Sequence, residues 1–268
     1  MYRFKFEYLS MKRIIFTFLF YDGQFILSRN FFRQKIGDEN WLFKNYNLEK
    51  VAYGLDEIML LNISPSNAFD DDFCSVIENI TKNCFIPITV GGKINGEKAA
   101  EKYFRAGADK ILINNLNFVK PNVTKSIIKT YGSQAVMACI NYKFCLAKYC
   151  VFLSDGITEY NKSILNYLNF LLQLEVGEIL LQSIDNDGTG IGLDLSILEF
   201  IPNDFPLPII IMGGIGKKDH FIEGLSNNKI DAVATANILN FIGPSILNVR
   251  EAIIEEGILI PRFKKFNL

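Results

Sequence analysis

Apolar residues along this chain gather in eight short, nearly continuous runs: residues 13–20, 57–63, 86–90, 110–114, 135–140, 178–184, 208–212 and 231–236. They are rich in Ile, Leu and Val and hardly alternate with polar residues. Strands of a parallel sheet, buried on both faces, have this pattern. Between the runs the apolar spacing becomes helical. "GEKAAEKYFRAGA" and "NKSILNYLNFLLQLEVG" end near glycine, where a helix can turn left-handed and stop. Eight strand–helix units in about 250 residues predict a (β/α)8 TIM barrel of the α/β class. No Pro/Gly-rich linker divides the chain, so one barrel domain is expected over 12–268, with 1–11 as an N-terminal extension. "MKRIIF" starts afresh at Met11.

The runs repeat. "PITVGGKI" resembles "PIIIMGGIG", "ADKILINN" resembles "IDAVATAN", and "DEIMLLNIS" resembles "GEILLQSID". Gly91-Gly92 and Gly213-Gly214 stand 122 positions apart, as do Asn115 and Asn237, while Glu57 and Glu178 stand 121 apart. A constant offset near half the chain predicts a doubled half-barrel, against the plainer reading that all strand–helix units look alike.

Composition narrows the class. A net charge of -1 gives no global field for nucleic acid or a membrane surface. No apolar run reaches the roughly 18 residues of a membrane span, and "MYRFKFEYLS" lacks the apolar core of a signal peptide. The five cysteines show neither metal spacing nor an even count for a disulfide framework. A reducing cytoplasm is expected, with no metal and no cofactor.

In such a barrel the reactive groups stand where strands end and loops begin. Gly91-Gly92 and Gly213-Gly214 fall there, and glycine lets backbone N–H groups approach an oxyanion closely. "SIDNDGTGIG" places Asp187, Gly188 and Thr189 at another strand end. Asn114-Asn115 and Ala236-Asn237 close two more, ahead of the next helices, whose N-termini favour phosphate. Either Gly-Gly pair alone reads equally as a tight turn. One such cluster in each half predicts two anion sites, for a phosphorylated small molecule or an inorganic anion.

These segments, with "KRIIF…DG", "GADKILINN", "YGSQAVMACI" and "GEILLQSIDNDGTGIGLD", resemble the cyclase subunit of imidazole glycerol phosphate synthase from about Lys12 to Phe241. The resemblance implies a TIM barrel with two phosphate sites at its top. It also implies ammonia delivered through the barrel from a glutamine-hydrolysing partner at its bottom. In that family the first and fifth strands end in catalytic aspartates, and the matching positions here are Leu19 and Asn141. A lysine after the first strand matches Leu27. Leucine cannot transfer a proton and an amide has no useful pKa, so no catalytic residue is expected. Asp22 reads as the cap of an Asp-Gly turn, and Asp185 and Asp187 as poor replacements.

At the other end the family closes its barrel with a charged ring that gates ammonia. Arg13, Glu57, Lys110 and Glu178 match it, against the plain reading that charges at strand starts face solvent. Asp109 matches a partner-contacting position. A kept ammonia route with lost cyclase chemistry resembles the cyclase-like subunits of glycosyl amidation in bacterial surface-polysaccharide pathways. There a glutaminase-like partner and a third, sugar-amidating enzyme are implied. Lys93 replaces a family glycine at the first phosphate site. His220 is expected at a surface or as a cap, and Trp41 in packing. Three readings stand: an ammonia-conducting subunit, a histidine-pathway lyase with a rearranged site, and a scaffold that activates a glutaminase.

Overall fold

A computed structural model describes residues 11–45, 52–66, 70–154, 156–160, 163–236 and 245–261. The expected extension, 1–11, lies outside them except for Met11. The described strands are β1 (Arg13–Tyr21), β2 (Gln24–Arg29), β3 (Phe32–Gly37), β4 (Glu57–Asn62), β5 (Ile88–Gly91), β6 (Lys110–Ile113), β7 (Val136–Cys145), β8 (Lys148–Leu153), β9 (Thr158–Tyr160), β10 (Glu178–Ser183), β11 (Ile209–Met212) and β12 (Ala232–Thr235). Each of the eight apolar runs overlaps one barrel strand, with β1, β5 and β7 running on past the ends of theirs. Strands β1, β4, β5, β6, β7, β10, β11 and β12 pair in parallel in that order, and β12 pairs back with β1 to close a TIM barrel. Helices pack around it, among them α1 (Glu39–Asn45), α2 (Asp70–Asn83), α3 (Glu97–Arg105), α4 (Leu116–Val119), α5 (Pro121–Tyr131), α6 (Ile164–Leu174), α7 (Lys218–Leu225) and α8 (Ser245–Glu255).

The apolar runs divide between two cores. One set of alternate residues packs outward under the helices, as Ile14, Phe16, Ile58, Val90 and Ile211 do. The other fills the lumen, including Ile15, Met59, Leu112, Met137, Leu180 and Ile210. Because both faces of each strand are buried, the polar alternation of an exposed sheet is absent.

The halves correspond in detail. Asp109 accepts a hydrogen bond from the Ile88 amide at 2.8 Å, and Asp231 accepts one from the Ile209 amide at 2.9 Å. Each carboxylate anchors the start of the neighbouring strand. Gly92 and Gly214 both have positive φ, and a Cβ there would lie 1.8 Å from Asn62 O and 1.9 Å from Gly192 O. Side-chain-free backbone is therefore required at both turns.

Two hairpins stand on the barrel's C-terminal rim, on its first and fifth strands. β1 turns into β2 through Asp22 and Gly23, both left-handed at φ 47° and 77°. A two-residue turn with both residues left-handed matches the twist of the strands, which is why Asp-Gly stands there. The Asp22 amide donates to Ser64 Oγ at 3.0 Å. β2 continues into β3 through Asn30 and Phe31, again both left-handed. The fifth barrel strand, β7, returns as β8 and then β9. Trp41 lies on α1, packed against the outer core.

Candidate functional site: a charged ring and a two-chambered mouth

Arg13, Glu57, Lys110 and Glu178 are the first residues of β1, β4, β6 and β10, so all four stand at the N-terminal end of the barrel. They form a closed circuit. Arg13 reaches Glu57 at 3.0 Å and Glu178 at 3.1 Å, and Lys110 reaches the same two carboxylates at 3.1 Å each. Thr89 Oγ1 also donates to Glu57 at 2.5 Å. Each carboxylate thus lies between two cations. Burial works against the Arg13 charge, but Glu178 and Glu57 outweigh it and raise its pKa. Burial likewise works against the Glu178 carboxylate, and Arg13 and Lys110 outweigh it, holding its pKa below the usual value. Above the ring the lumen wall is mostly apolar, with Thr17 and Thr89 as buried exceptions.

At the opposite end, Leu19 is buried on β1 and packs with the lumen residues Ile26 and Leu61. Asn141 on β7 is buried too, with the Cys139 thiol 3.2 Å from its Oδ1. Neither can exchange a proton at neutral pH. Three further amide side chains, Asn62, Asn114 and Gln182, share the cavity of Asn141. Such amides can orient hydroxyls or carbonyls but cannot act as acid or base.

The mouth holds two cavities. One, of about 390 Å³, lies against β11 and β12 and is lined by Gly188, Gly213, Gly214 and Ala236 together with Arg29 and Arg33 of the first hairpin. The other, of about 480 Å³, lies against β4 to β7 and is lined by Gly92, Asn114, Asn115, Lys93 and Lys120 besides the amides. Lys93 stands at φ 57°, keeping the left-handed turn that a glycine would serve.

Several predicted anion contacts have other structural duties. Gly91 is buried within β5, where a Cβ would lie 2.8 Å from Leu61 and 2.9 Å from Leu112, so it serves lumen packing. The Asp187 carboxylate points to the first hairpin, accepting from Ser28 Oγ at 2.5 Å and the Phe31 amide at 3.0 Å. Burial raises its pKa against those two bonds. The Thr189 hydroxyl closes its own turn on Asn186 O at 2.7 Å. Asn115 lines its cavity while its Oδ1 accepts from the Ser154 amide at 2.8 Å. Asn237 lies outside the described residues. Asp109 is exposed at the N-terminal face. His220 is buried, not superficial, and its Nδ1 accepts from the Gly216 amide at 3.1 Å, steadying the loop after Gly213-Gly214. Arg29, Arg33 and Lys120 were missed as cavity residues. The first two sit on a hairpin that the eight-run pattern did not contain.

Comparison with known proteins agrees with this layout. A family model described as histidine biosynthesis protein matches residues 33–242. A protein of Parasynechococcus marenigrum, provisionally named imidazole glycerol phosphate synthase subunit hisF2, is 41% identical over 243 residues, covering 91% of this chain and 90% of its own. Imidazole glycerol phosphate synthase subunit HisF of Chloroherpeton thalassium is 35% identical over 205 residues, covering 76% and 82%. The subunit of the same name from Geobacillus kaustophilus is 30% identical over 250 residues, covering 92% and 98%. With this barrel, these relatives and a family match along most of its length, the chain belongs to the histidine biosynthesis protein family, beside the cyclase subunits of imidazole glycerol phosphate synthase.

Proposed function

We propose that this chain is the ammonia-channelling, cyclase-like subunit of a glutamine amidotransferase complex, without cyclase chemistry of its own. The observation that carries the reading is the pairing of a complete charge circuit at one end with the buried Leu19 and Asn141, neither able to transfer a proton, at the strand ends where the resemblance expects carboxylates. A ring of two cations and two anions satisfies itself and presents no net charge to a passing molecule. The largely apolar lumen above it suits neutral ammonia better than an ion, because burying an unpaired charge is costly. A glutaminase-like partner covers the N-terminal face around the ring, with Asp109 on the contact. The mouth delivers ammonia to an acceptor held by a third enzyme, in the amidation of a bacterial surface sugar. The two mouth cavities bind anions through Arg29, Arg33 and the Gly213-Gly214 backbone on one side and through Lys93 on the other.

The relatives' names favour a second reading, in which the chain is a histidine-pathway lyase. One experiment separates the two. The chain is co-expressed with a glutaminase-like protein encoded beside it. Complex formation, glutamine hydrolysis and ammonia-dependent turnover of the cyclase's bisphosphate substrate are then measured. The reading expects a complex, stimulated hydrolysis and cyclase turnover lower than an authentic enzyme's by at least about 10²–10⁴-fold, the usual cost of losing one acid–base group. Turnover at the authentic rate establishes the lyase. No complex and unchanged hydrolysis overturn the ammonia reading. Asp109 also anchors Ile88, so Asp109→Asn, which keeps an acceptor, probes the contact with less disturbance of the barrel than a charge reversal.

A further inference from the structure

Among the described residues, six large apolar side chains are more than two-thirds exposed. Five of them, Phe32, Val119, Leu146, Ile157 and Ile191, stand on the C-terminal rim, and only Phe85, ahead of β5, lies at the other end. Single exposed apolar residues are ordinary, but their concentration around one opening is not. Leu146 is 96% exposed and shares the turn between β7 and β8 with Ala147, both left-handed at φ 47° and 61°. Glycine or asparagine would hold this turn with less strain and no exposed methyls. Folding therefore gives no reason for leucine at this apex, whereas a partner that buries it does.

The apolar tips share one frame. Phe32 follows the left-handed pair Asn30 and Phe31. The two hairpins meet where a Cβ on Gly156 would lie 3.1 Å from the Phe31 ring, so Phe32 and Ile157 flank a single contact. The Asn30 amide donates to Asp187 O at 2.8 Å, and the Phe144 amide donates to the Asp185 carboxylate at 3.0 Å. Both hairpins are thereby fixed to the loop that carries Ile191. A surface held in place this way loses little freedom on binding. Its charge also departs from that of the chain. Residues 24–37 carry Arg29, Arg33 and Lys35, and residues 143–153 carry Lys143 and Lys148, with no Asp or Glu in either stretch, although the whole chain has a net charge of -1.

We propose that this basic, apolar-tipped rim docks a second protein, the ammonia-accepting enzyme, through a surface with apolar pockets set among acidic residues. The inference rests on the ammonia reading, and the place of the rim selects the occupant. Ammonia leaves the barrel inside this rim, and an apolar collar pressed against the acceptor's enzyme keeps water from the transfer. A lipid surface also takes apolar tips and cations, but it would cover the exit instead of holding an acceptor over it.

The test uses the full-length chain, with and without the glutaminase-like protein, and the sugar-amidating enzyme encoded beside them as the probe. Binding is followed by calorimetry at low and high salt, beside glutamine hydrolysis and a thermal melt. Leu146→Asn suits the left-handed turn and removes the apolar tip. It should weaken binding at least about tenfold, as loss of a buried interface anchor does, with an unchanged or higher melting temperature and unchanged hydrolysis. Lys35→Glu combined with Lys148→Glu should also weaken binding, more at low salt than at high. A Leu146→Asn variant that binds as the parent does, or a parent that binds no such enzyme, overturns the docking site. Binding of the parent to phosphatidylglycerol–phosphatidylcholine vesicles, or a dimer of the chain, that Leu146→Asn abolishes assigns the rim to a membrane or to a second copy and overturns it too. Glutamine hydrolysis that the chain fails to stimulate overturns the ammonia reading and the named occupant with it, whereas stimulated hydrolysis without docking overturns the docking site alone.

Discussion

Replacing Glu57 by Gln should be the most costly single change in the charge ring. Glu57 is 1% exposed and accepts from Arg13, Lys110 and Thr89. The amide keeps one acceptor, which can serve Thr89, but leaves two partly buried cations sharing Glu178. Breaking a buried ion pair by removing one partner costs about 3–5 kcal/mol, because the surviving charge is left uncompensated. The retained acceptor and the partial exposure of both cations put the expected loss near 3 kcal/mol, at the low end of that range, with the nearly full burial of Glu57 itself keeping it above that of Glu178. Glu178 is bonded to the same cations, but its side chain is 16% exposed, so water can compensate part of the loss. For Glu178→Gln the expected cost is about 1.5 kcal/mol, typical of one hydrogen bond to a charged group. Urea unfolding of both variants measures this as a shift in midpoint at unchanged slope. Glu57→Gln combined with Lys110→Met leaves one cation and one anion, so the double variant should lose less than the sum by about 1–2 kcal/mol. A Glu57→Gln variant within about 0.5 kcal/mol of the parent, a typical surface effect, would refute the account. So would a Glu178→Gln variant that proves the less stable of the two.

The ring also sets an acid limit. The folded-state pKa of Glu178 lies below the ordinary 4.5, so its contribution is full above that value and disappears as pH falls through the lowered one; Glu178→Gln should flatten the acid limb of a stability–pH curve. Gly92→Ala and Gly214→Ala should each cost several kcal/mol, about 3 or more, since the methyl meets a backbone carbonyl that cannot move aside; Gly257→Ala, with open space but φ 77°, should cost about 1 kcal/mol, and thermal melts rank the three. Arg250 on α8 grips Asp56 at 2.8 and 3.1 Å with both groups buried, tying the last helix to the start of the second barrel strand. Arg250→Ala should therefore cost about 3–5 kcal/mol in urea unfolding, whereas the exposed Lys102–Asp71 pair should be near neutral on Lys102→Ala.

Much of this molecule was legible in the chain itself. Eight short apolar runs without alternation, rich in Ile, Leu and Val, suit strands covered on both sides, and their spacing leaves room for one helix each. The half-chain offset carries through to the paired Asp109 and Asp231 anchors and the matched Gly92 and Gly214 turns, because the same local backbone demands the same residues twice. Arg13, Glu57, Lys110 and Glu178 could be found by their places at strand starts, but their closure into one circuit depends on barrel closure, which brings Arg13 and Glu178, 165 residues apart on strands that are not neighbours, together across the lumen.

The mouth is where sequence reasoning ran short. Asp-Gly at 22–23 flanked by apolar runs is a hairpin signal, yet β2 and β3 mix polar and apolar residues and lack the continuous runs that mark the barrel. The turn at Leu146 and Ala147 has no signal at all, since both residues are left-handed without being Gly, Asn or Asp. Side-chain direction there is a tertiary matter. Nothing local distinguishes an Asp187 that faces an anion from one that holds Ser28 and Phe31, 159 and 156 residues away. His220 shows the same limit: an isolated histidine opening a helix reads as superficial or as a cap, and while its ring does accept from the Gly216 amide just ahead of the helix, only tertiary packing buries it. Residue types and periodicity determined the barrel and its symmetry. Which face each loop residue turns inward was decided by contacts between distant segments, which exist only once the barrel has closed.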